Sequence, residues 1–346
     1  MNKKDRNVTD IPKLARQWLN SGRFFKWTSA SEENKSFGEL NIFSVQKGDG
    51  KKPPILMIHG YPTSSFDFME LFDLLSMDYF VCALDTQGYG FSDKPRNGYK
   101  YSVEDDARLV NYYINEVLNV RKLTVVTHDK GNSVGLALLD LYKNQDRYTI
   151  GHLILTNGNI YLPLANLTGF QKILLNRLTG PVATKFVTGK TLANGLNRTT
   201  HNITESPEKV RSNAFILGYQ NGGQIQHDII QYLNQRKHYE VQWLENLRNS
   251  TVPTTLVWGE DDTIAPTKVS DYVWANYLKV RTAQSNYWII PGANHYVQND
   301  KPEIVSKLIR RSFGEEVDFR KKMRKKDLIA KWPKCPRACR SQNKSL

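Results

Sequence analysis

The sequence predicts a doubly wound α/β fold, in which helices cover both faces of a mostly parallel β-sheet. Apolar strand-like runs alternate with segments whose apolar residues recur at helical spacing. Several of these runs are apolar throughout, which is typical of strands buried on both faces of a parallel sheet. The chain has 346 residues, of which 40% are hydrophobic, and it can therefore bury a large core.

The strand and helix segments can be read in order along the chain. The predicted strands are LNIFSV (near 41–45), PILMIHG, YFVCALD, KLTVVTH, HLILTNG, TTLVWGED and NYWIIPG. The predicted helices are SVEDDARLVNYYINEVL, VGLALLDLYKN and PEIVSKLIRRSF, the last with Pro302 at its start, where proline is favoured.

The alternation breaks once, between Asn157 and Pro253. These residues read as helix and loop with no clear strand, and about ninety residues are too many for a simple connection in a compact domain. We therefore predict an α/β core formed by residues 1–157 and 253–314. Residues 158–252 form an inserted helical cap, and residues 315–346 form a basic C-terminal tail.

The net charge of +14 is unevenly distributed. From Glu315 to Leu346 there are eleven Lys or Arg against four acids, so this tail alone supplies +7. The distribution therefore does not indicate a specific nucleic-acid-binding domain. We favour a solvated extension, and contact of the tail with RNA or an anionic lipid surface stays open.

The remaining composition favours a soluble, cytoplasmic protein. No apolar run reaches the roughly eighteen residues of a membrane span, and the amino-terminal segment lacks the apolar stretch of a secretory signal. Three cysteines, Cys82, Cys335 and Cys339, are too few to hold a fold of this size together. A reducing compartment is consistent with these features.

The segment KLTVVTHDKGNSVG offers two candidate nucleophiles. Ser133 lies in the G-x-S-x-G pattern of residues 131–135, and Asp129 lies four residues earlier with Thr127 and Gly131 two positions away on either side. Small neighbours permit a sharp strand-to-helix turn, and both candidates satisfy this requirement. With Ser133 on the turn, the charged residues 128–130 would enter a buried strand, which costs several kcal/mol. We therefore place Asp129 on the turn and Ser133 in the following helix, as a small packed residue.

Three motifs resemble those of a known superfamily. They are HGYP (59–62), DTQGYGFSDKP (85–95) and HDxG (128–131), and each follows a predicted strand. Together, from Phe24 to Phe313, they are similar to the epoxide hydrolases and haloalkane dehalogenases of the α/β-hydrolase superfamily. The stretches HGYPTSS (59–65) and YLNQRK (232–237) most resemble the mesoderm-specific transcript protein family, whose activity is poorly defined.

The resemblance implies a set of site residues and neither a metal nor a cofactor. Asp129 would be the nucleophile, His295 the base that activates water, and Asp262 the acid that orients His295, with Asp261 as the alternative acid. Backbone N–H groups of Tyr61 and Lys130 would stabilise the oxyanion. The supporting residues around the turn would be His59, Gly60, Pro62 and His128. The glycines around Asp85 and Asp93 indicate that these two carboxylates tie down a loop through hydrogen bonds rather than react.

The substrate would be a small hydrophobic epoxide or halide, together with water. Tyr232 lies at a spacing similar to that of the ring-opening tyrosine in soluble epoxide hydrolases, and Tyr161 or Tyr219 could be a second donor. Lys130 follows the nucleophile where dehalogenases of alkyl halides commonly have tryptophan, and this counts against alkyl halides. Small haloacids, a serine esterase that uses Ser133, and a non-catalytic small-molecule binder stay as alternatives.

Overall fold

A computed structural model describes residues 11–143, 145–201, 206–316 and 329–330 of the protein. These residues form a nine-stranded sheet with the order β1-β2-β4-β3-β5-β6-β7-β8-β9. The strands β3 to β8 pair in parallel, whereas β1, β2 and β9 pair antiparallel with their neighbours. The predicted α/β fold class is therefore confirmed. The strands are β1 Gly22–Thr28, β2 Glu39–Lys47, β3 Pro54–Ile58, β4 Phe80–Leu84, β5 Lys122–His128, β6 Thr149–Thr156, β7 Thr254–Gly259, β8 Ser285–Ile290 and β9 Ile329–Ala330.

The predicted runs all coincide with strands, from β2 to β8, and the structure adds the two-residue β9 and, at the opposite edge of the sheet, β1. Its sequence, GRFFKWT, contains Arg23 and Lys26 and has no continuous apolar run. It pairs with β2 only, and Phe24 on it is partly exposed to solvent. An edge strand needs little burial, which explains why the hydrophobic pattern did not reveal it.

Helices cover both faces of the sheet, and the predicted helical segments are confirmed with small shifts at their ends. α4 begins at Lys130, before the predicted segment 134–144, and α3 continues into a π-helical stretch at Tyr113–Leu118. The helices are α1 Lys13–Ser21, α2 Met69–Leu75, α3 Val103–Tyr112, α4 Lys130–Tyr142, α5 Gly169–Leu175, α6 Gly180–Ala183, α7 Gly189–Leu196, α8 Pro207–Gly218, α9 Gln226–Ile229, α10 Tyr232–Asn249, α11 Thr267–Val273, α12 Val297–Asp300 and α13 Pro302–Arg311.

The segment between β6 and β7 contains helices α5 to α10, and no strand occurs in its described residues. Its last helix, α10, packs along α4 beside the sheet. The segment between β6 and β7 therefore supplies helices α5 to α9 and a final helix, α10, that leads back to the sheet at β7. We refer to residues 157–253 as the helical insertion.

The carboxyl-terminal tail lies largely outside the described residues, as do Cys335 and Cys339. Within it, β9 pairs antiparallel with β8 through Ala330 and Trp288. Cys82 is buried in β4 with a free thiol. Among the described helices, none combines the length and the apolar character needed to cross a membrane.

Candidate active site

Asp129 is the residue on the turn between β5 and α4. Strand β5 ends at His128 and α4 begins at Lys130. Asp129 has φ 49° and ψ −114°, a positive φ that non-glycine residues rarely adopt. Such backbone strain is characteristic of functional turns, where the surrounding structure holds it in place.

Three glycines make room for this turn. A Cβ atom on Gly60 would lie 2.5 Å from Cβ of Asp129, and one on Gly158 would lie 2.7 Å from its Cα. A Cβ atom on Gly131 would lie 2.4 Å from the carbonyl oxygen of Ile58. The Asp129 N–H donates to the carbonyl oxygen of Asn157 at 2.8 Å, which ties the turn to the end of β6.

His295 lies between two carboxylates. Its Nε2 is 3.4 Å from Oδ2 of Asp129, and its Nδ1 is 2.9 Å from Oδ2 of Asp262. All three side chains are buried. The alternative acid, Asp261, instead lies at hydrogen-bond distance from His201, with its Oδ2 3.3 Å from Nε2 of that residue. The structure therefore brings Asp129 and Asp262 into contact with His295, and it places Asp261 apart from them.

Asn157 is a site residue that the sequence did not reveal. Its Nδ2 donates to Oδ2 of Asp262 at 2.7 Å, and its Oδ1 accepts from the Gly259 N–H at 2.8 Å. The other oxygen of Asp262 accepts from the N–H groups of Ile264 and Ala265 at 2.7 and 2.8 Å. Asp262 is thus held in place by hydrogen bonds at both oxygens. The available signal was its position directly after the predicted strand β6, because the carboxyl ends of parallel strands meet at one edge of the sheet.

The electrostatics of the three groups are coupled. Burial opposes protonation of His295, but Asp262 and Asp129 outweigh it and raise the pKa of His295 to about 10. Burial likewise opposes ionisation of Asp129 and Asp262, and His295 outweighs it, so the pKa of each carboxyl lies below its ordinary value. The resting site therefore holds an imidazolium between two carboxylates.

Tyr61 and Lys130 flank Asp129. The Tyr61 N–H donates to Oδ1 of Asp129 at 2.9 Å, which places this backbone donor at the carboxyl group. The Lys130 side chain is buried, forms an ion pair with Asp106, and lies 4.2 Å from the ring centroid of Tyr89. Lys130 is not among the residues that line the cavity at Asp129. Its ammonium group therefore makes its contacts within the core, with Asp106 and the ring of Tyr89.

Ser133 is engaged by a buried cation. The Nε of Arg236 donates to the Ser133 hydroxyl oxygen at 2.8 Å, its Nη2 donates to the same oxygen, and its Nη1 donates to the carbonyl oxygen of Ile160 at 2.7 Å. Arg236 lies one helical turn after Tyr232 on α10. The sequence predicted a small packed residue at position 133, and the structure adds a partner from the helical insertion.

The supporting residues surround the turn. His59 Nδ1 donates to the carbonyl oxygen of Gly60 at 2.8 Å while its Nε2 accepts from the Thr86 N–H, and the peptide bond before Pro62 is cis. The ring of His128 lies 5.0 Å from that of His295. Burial, together with Lys130 near His59 and His295 near His128, lowers the pKa of each of these two histidines to about 3. Both imidazole rings are therefore uncharged at neutral pH, and they pack around the turn that carries Asp129.

A cavity of about 630 Å³ opens beside Asp129 and His295. Residues 166–171, 191–192, 195–196, 198–199 and 263–264 form most of its wall, together with Tyr61, Pro62 and Tyr296. Apolar side chains, among them Leu167, Leu192 and Ile264, line it. Such a lining favours a small hydrophobic molecule.

Two buried phenols lie near Asp129. The ring of Tyr232 is 5.8 Å from the ring of Tyr61, and only Tyr61 of the two lines the cavity. Neither hydroxyl has a hydrogen-bond partner of normal geometry among the described residues, although Asn159 lies near that of Tyr232. Burial, followed by the charge of Asp129, raises the pKa of both phenols. Tyr61, considered from sequence only for its N–H, thus also brings a hydroxyl.

The other tyrosine candidates lie elsewhere. Tyr161 stacks on Tyr272 with ring centroids 3.9 Å apart, and Tyr219 packs on Phe91. Neither lines the cavity. Asp85 accepts from the N–H groups of Ser65 and Phe91, both at 2.8 Å, and Asp93 accepts from the N–H of Asn41 at 2.7 Å. These two carboxylates tie down the loop after β4, as the sequence predicted.

Comparison with known proteins identifies the family of this chain. Residues 53–302 match the family described as the alpha/beta hydrolase fold. The chain belongs to this family. It is 31% identical over 293 residues to hydrolase LipZ of Mycobacterium tuberculosis, which covers 83% of this chain and 94% of that protein.

Two further relatives are more distant. The mesoderm-specific transcript protein of Mus musculus is 29% identical over 255 residues, covering 72% of this chain and 73% of that protein. Epoxide hydrolase 3 of Xenopus tropicalis is 26% identical over 300 residues, covering 80% of this chain and 76% of that protein. The resemblances to the epoxide hydrolases and to the mesoderm-specific transcript protein family are therefore confirmed, and the chain is an α/β-fold hydrolase that acts on a small molecule and water.

Proposed function

We propose that this α/β hydrolase opens epoxides through a covalent ester on Asp129. The observation that carries the proposal is the orientation of the two candidate nucleophiles. The Asp129 carboxylate lies 3.4 Å from Nε2 of His295, whereas the Ser133 hydroxyl accepts hydrogen bonds from Arg236. A serine nucleophile requires a base at its hydroxyl, and Arg236 is a cation that donates there.

In the first step, an oxygen of Asp129 attacks one carbon of the epoxide ring. The ring C–O bond breaks, and its electron pair stays on the oxygen, which takes a proton from Tyr232 or Tyr61. The imidazolium of His295 restores that proton to the phenolate. The two unpartnered phenols near Asp129 support this step, because an oxygen leaving group needs a donor as its charge develops.

In the second step, water hydrolyses the ester. Ester formation removes the charge of Asp129, so His295 keeps only Asp262 as an anionic partner and becomes a neutral base. It takes a proton from water, and the resulting hydroxide attacks the carbonyl carbon of the ester. The Tyr61 N–H would stabilise the oxyanion. When the tetrahedral intermediate collapses, the bond between the carbonyl carbon and the product oxygen breaks. That oxygen takes the second proton of the attacking water, and the diol is released. Asp129 is again a carboxylate beside protonated His295.

The halide and haloacid alternatives have less support. A halide leaving group would need a donor or cation at the cavity wall, and the ammonium group of Lys130 is paired with Asp106 instead. The phenols of Tyr61 and Tyr232 suit an oxygen that must be protonated. A non-catalytic binder has no need of two buried carboxylates on one imidazole, because the desolvation of buried charges costs several kcal/mol per ion even when they are paired.

A single-turnover reaction in water labelled with oxygen-18 tests the proposal, with enzyme in excess over styrene oxide. Water attacks the carbonyl carbon of the ester, so the first diol should be unlabelled and the label should appear in the peptide that contains Asp129. Label in the first diol would contradict the covalent step. An absence of turnover across aryl and alkyl epoxides would contradict the substrate class.

A further inference from the structure

A short stretch of the helical insertion exposes large apolar side chains to solvent. Five of them lie within residues 170–186: Phe170, Ile173, Leu178, Val182 and Phe186. Leu178 and Phe186 are the most exposed, at 86% and 78%. The other large exposed hydrophobic residues of the described chain are scattered from Phe24 to Val280. Clustered exposure of this kind marks an interaction surface, and we refer to these five side chains as the apolar patch.

The fold explains why these side chains point outward. Helices α5 and α6 contact each other, and both contact α9. Leu174 and Gly180 are buried, so the inward positions of the segment are already occupied by other residues. Phe170 and Ile173 lie three residues apart on the opposite face of α5, where neighbouring side chains adjoin. The described residues of the protein itself therefore leave the patch uncovered.

The charged side chains of residues 170–190 all have one sign. Lys172, Arg177, Lys185 and Lys190 are exposed within residues 170–190, and none forms an ion pair with another described residue. The sequence has no Asp or Glu between Asp146 and Glu205. Apolar side chains interspersed with lysine and arginine are the composition of a surface that lies in a membrane interface. The cores of protein interfaces, in contrast, are depleted of lysine.

We propose that the apolar patch docks this protein on an anionic lipid bilayer. Leu178 and Phe186 insert among the lipid headgroups, and the surrounding cations contact lipid phosphates and carboxylates. The sign of the charge selects this occupant, because an anionic bilayer complements residues 170–190, which contain four cations and no acid.

Docking places the cavity at the bilayer. Phe170 belongs to the patch and also lines the cavity at Asp129, together with its neighbours Gly169 and Gln171. An apolar substrate dissolved in lipid would then reach Asp129 without crossing bulk water. This consequence rests on the proposed function, whereas docking itself does not.

Flotation of the full chain with vesicles tests the docking. Vesicles of phosphatidylcholine with phosphatidylserine should carry the wild-type protein to the top of the gradient, and vesicles of phosphatidylcholine alone should carry less. The double variant Leu178→Ser/Phe186→Ser should bind anionic vesicles on the order of tenfold less tightly, because two inserted side chains are lost. Neither residue lines the cavity, so turnover of a water-soluble substrate should not change.

Two controls separate the patch from general charge and hydrophobicity. Met77→Ser/Val241→Ser removes side chains that are 75% and 72% exposed elsewhere, and it should bind like the wild type. Lys185→Gln/Lys190→Gln should weaken binding to anionic vesicles only.

Three outcomes would overturn the proposal. The first is that the wild-type protein does not float with anionic vesicles. The second is that Leu178→Ser/Phe186→Ser floats as fully as the wild type, and this outcome would assign lipid binding to the basic tail. The third is a dimer in solution that this double variant dissociates without any vesicle binding, which would assign the patch to a second copy of the chain. The oxygen-18 experiment uses a soluble epoxide without vesicles, so failure there is distinguishable from failure of docking.

Discussion

Arg236 donates hydrogen bonds through Nε and Nη2 to the hydroxyl of Ser133, which lies 103 residues earlier in the chain. The contact joins α10 to α4 in a buried position. A motif that resembles a serine nucleophile thus accepts hydrogen bonds from a cation. Burial lowers the pKa of Arg236 to about 10, and the guanidinium therefore remains charged at neutral pH.

We predict that Ser133→Ala keeps the turnover of the wild type and loses stability. The variant leaves two donors of a buried guanidinium without their acceptor, which costs about 1–3 kcal/mol. Urea unfolding measures that loss, and steady-state kinetics with an epoxide measures turnover. A phosphonate directed at serine should inactivate neither protein. Loss of all turnover in Ser133→Ala at full folding would contradict the account.

Much of the fold could be predicted because it depends on local patterns. The strands β3 to β8 are buried on both faces and therefore have continuous apolar sequences. The choice of Asp129 over Ser133 followed from the energetic penalty of burying charges in a strand. The contacts of Arg236 with Ser133 and of Asn157 with Asp262 join residues more than a hundred positions apart. The spacing of apolar residues along the chain predicts helices and strands but not contacts between distant side chains. The sequence therefore did not reveal these partners.

The two phenols should matter for ring opening. We predict that Tyr232→Phe and Tyr61→Phe each slow formation of the ester by about 10²-fold, the lower end of the effect of a general acid. Rapid-quench kinetics measures this step separately from hydrolysis. Tyr161→Phe is the matched control, because Tyr161 stacks on Tyr272 away from the cavity, and its rate should not change. If all three variants formed the ester at the same rate, neither Tyr232 nor Tyr61 would act as the proton donor.

Asn157 should act as a positioning residue through Asp262. Asn157→Ala removes a 2.7 Å hydrogen bond to Oδ2 of Asp262. We expect slower hydrolysis of the ester, with formation of the ester little changed, because only hydrolysis needs His295 as a base. The pH profile of hydrolysis should shift as well, since Asp262 sets the basicity of His295. A purely structural role would instead change stability and leave the pH profile in place.

The charge of His295 should make stability depend on pH. Its pKa is raised from 6.5 to about 10 by Asp262 and Asp129, against the effect of burial. A group whose pKa is higher in the folded state binds its proton more tightly there, so its contribution is complete below about pH 6.5 and disappears as pH rises through about 10. The stability difference between wild type and His295→Gln should therefore shrink from pH 7 to pH 10.5.

Urea unfolding at several pH values measures this difference. His152→Gln is the control, because burial lowers the pKa of His152 to about 4 and this residue is neutral throughout that pH range. Its stability difference from the wild type should stay constant. A constant difference for His295→Gln would mean that His295 is neutral in the resting protein.

The most direct test of the central claim is mass spectrometry of His295→Gln after exposure to an epoxide. This variant keeps Asp129 and lacks the base that hydrolyses the ester, so the intermediate should accumulate. We predict a mass increase equal to that of the epoxide, located by peptide mapping on Asp129. The same adduct on Ser133, or no adduct with any epoxide under conditions in which the wild type forms diol, would contradict the account.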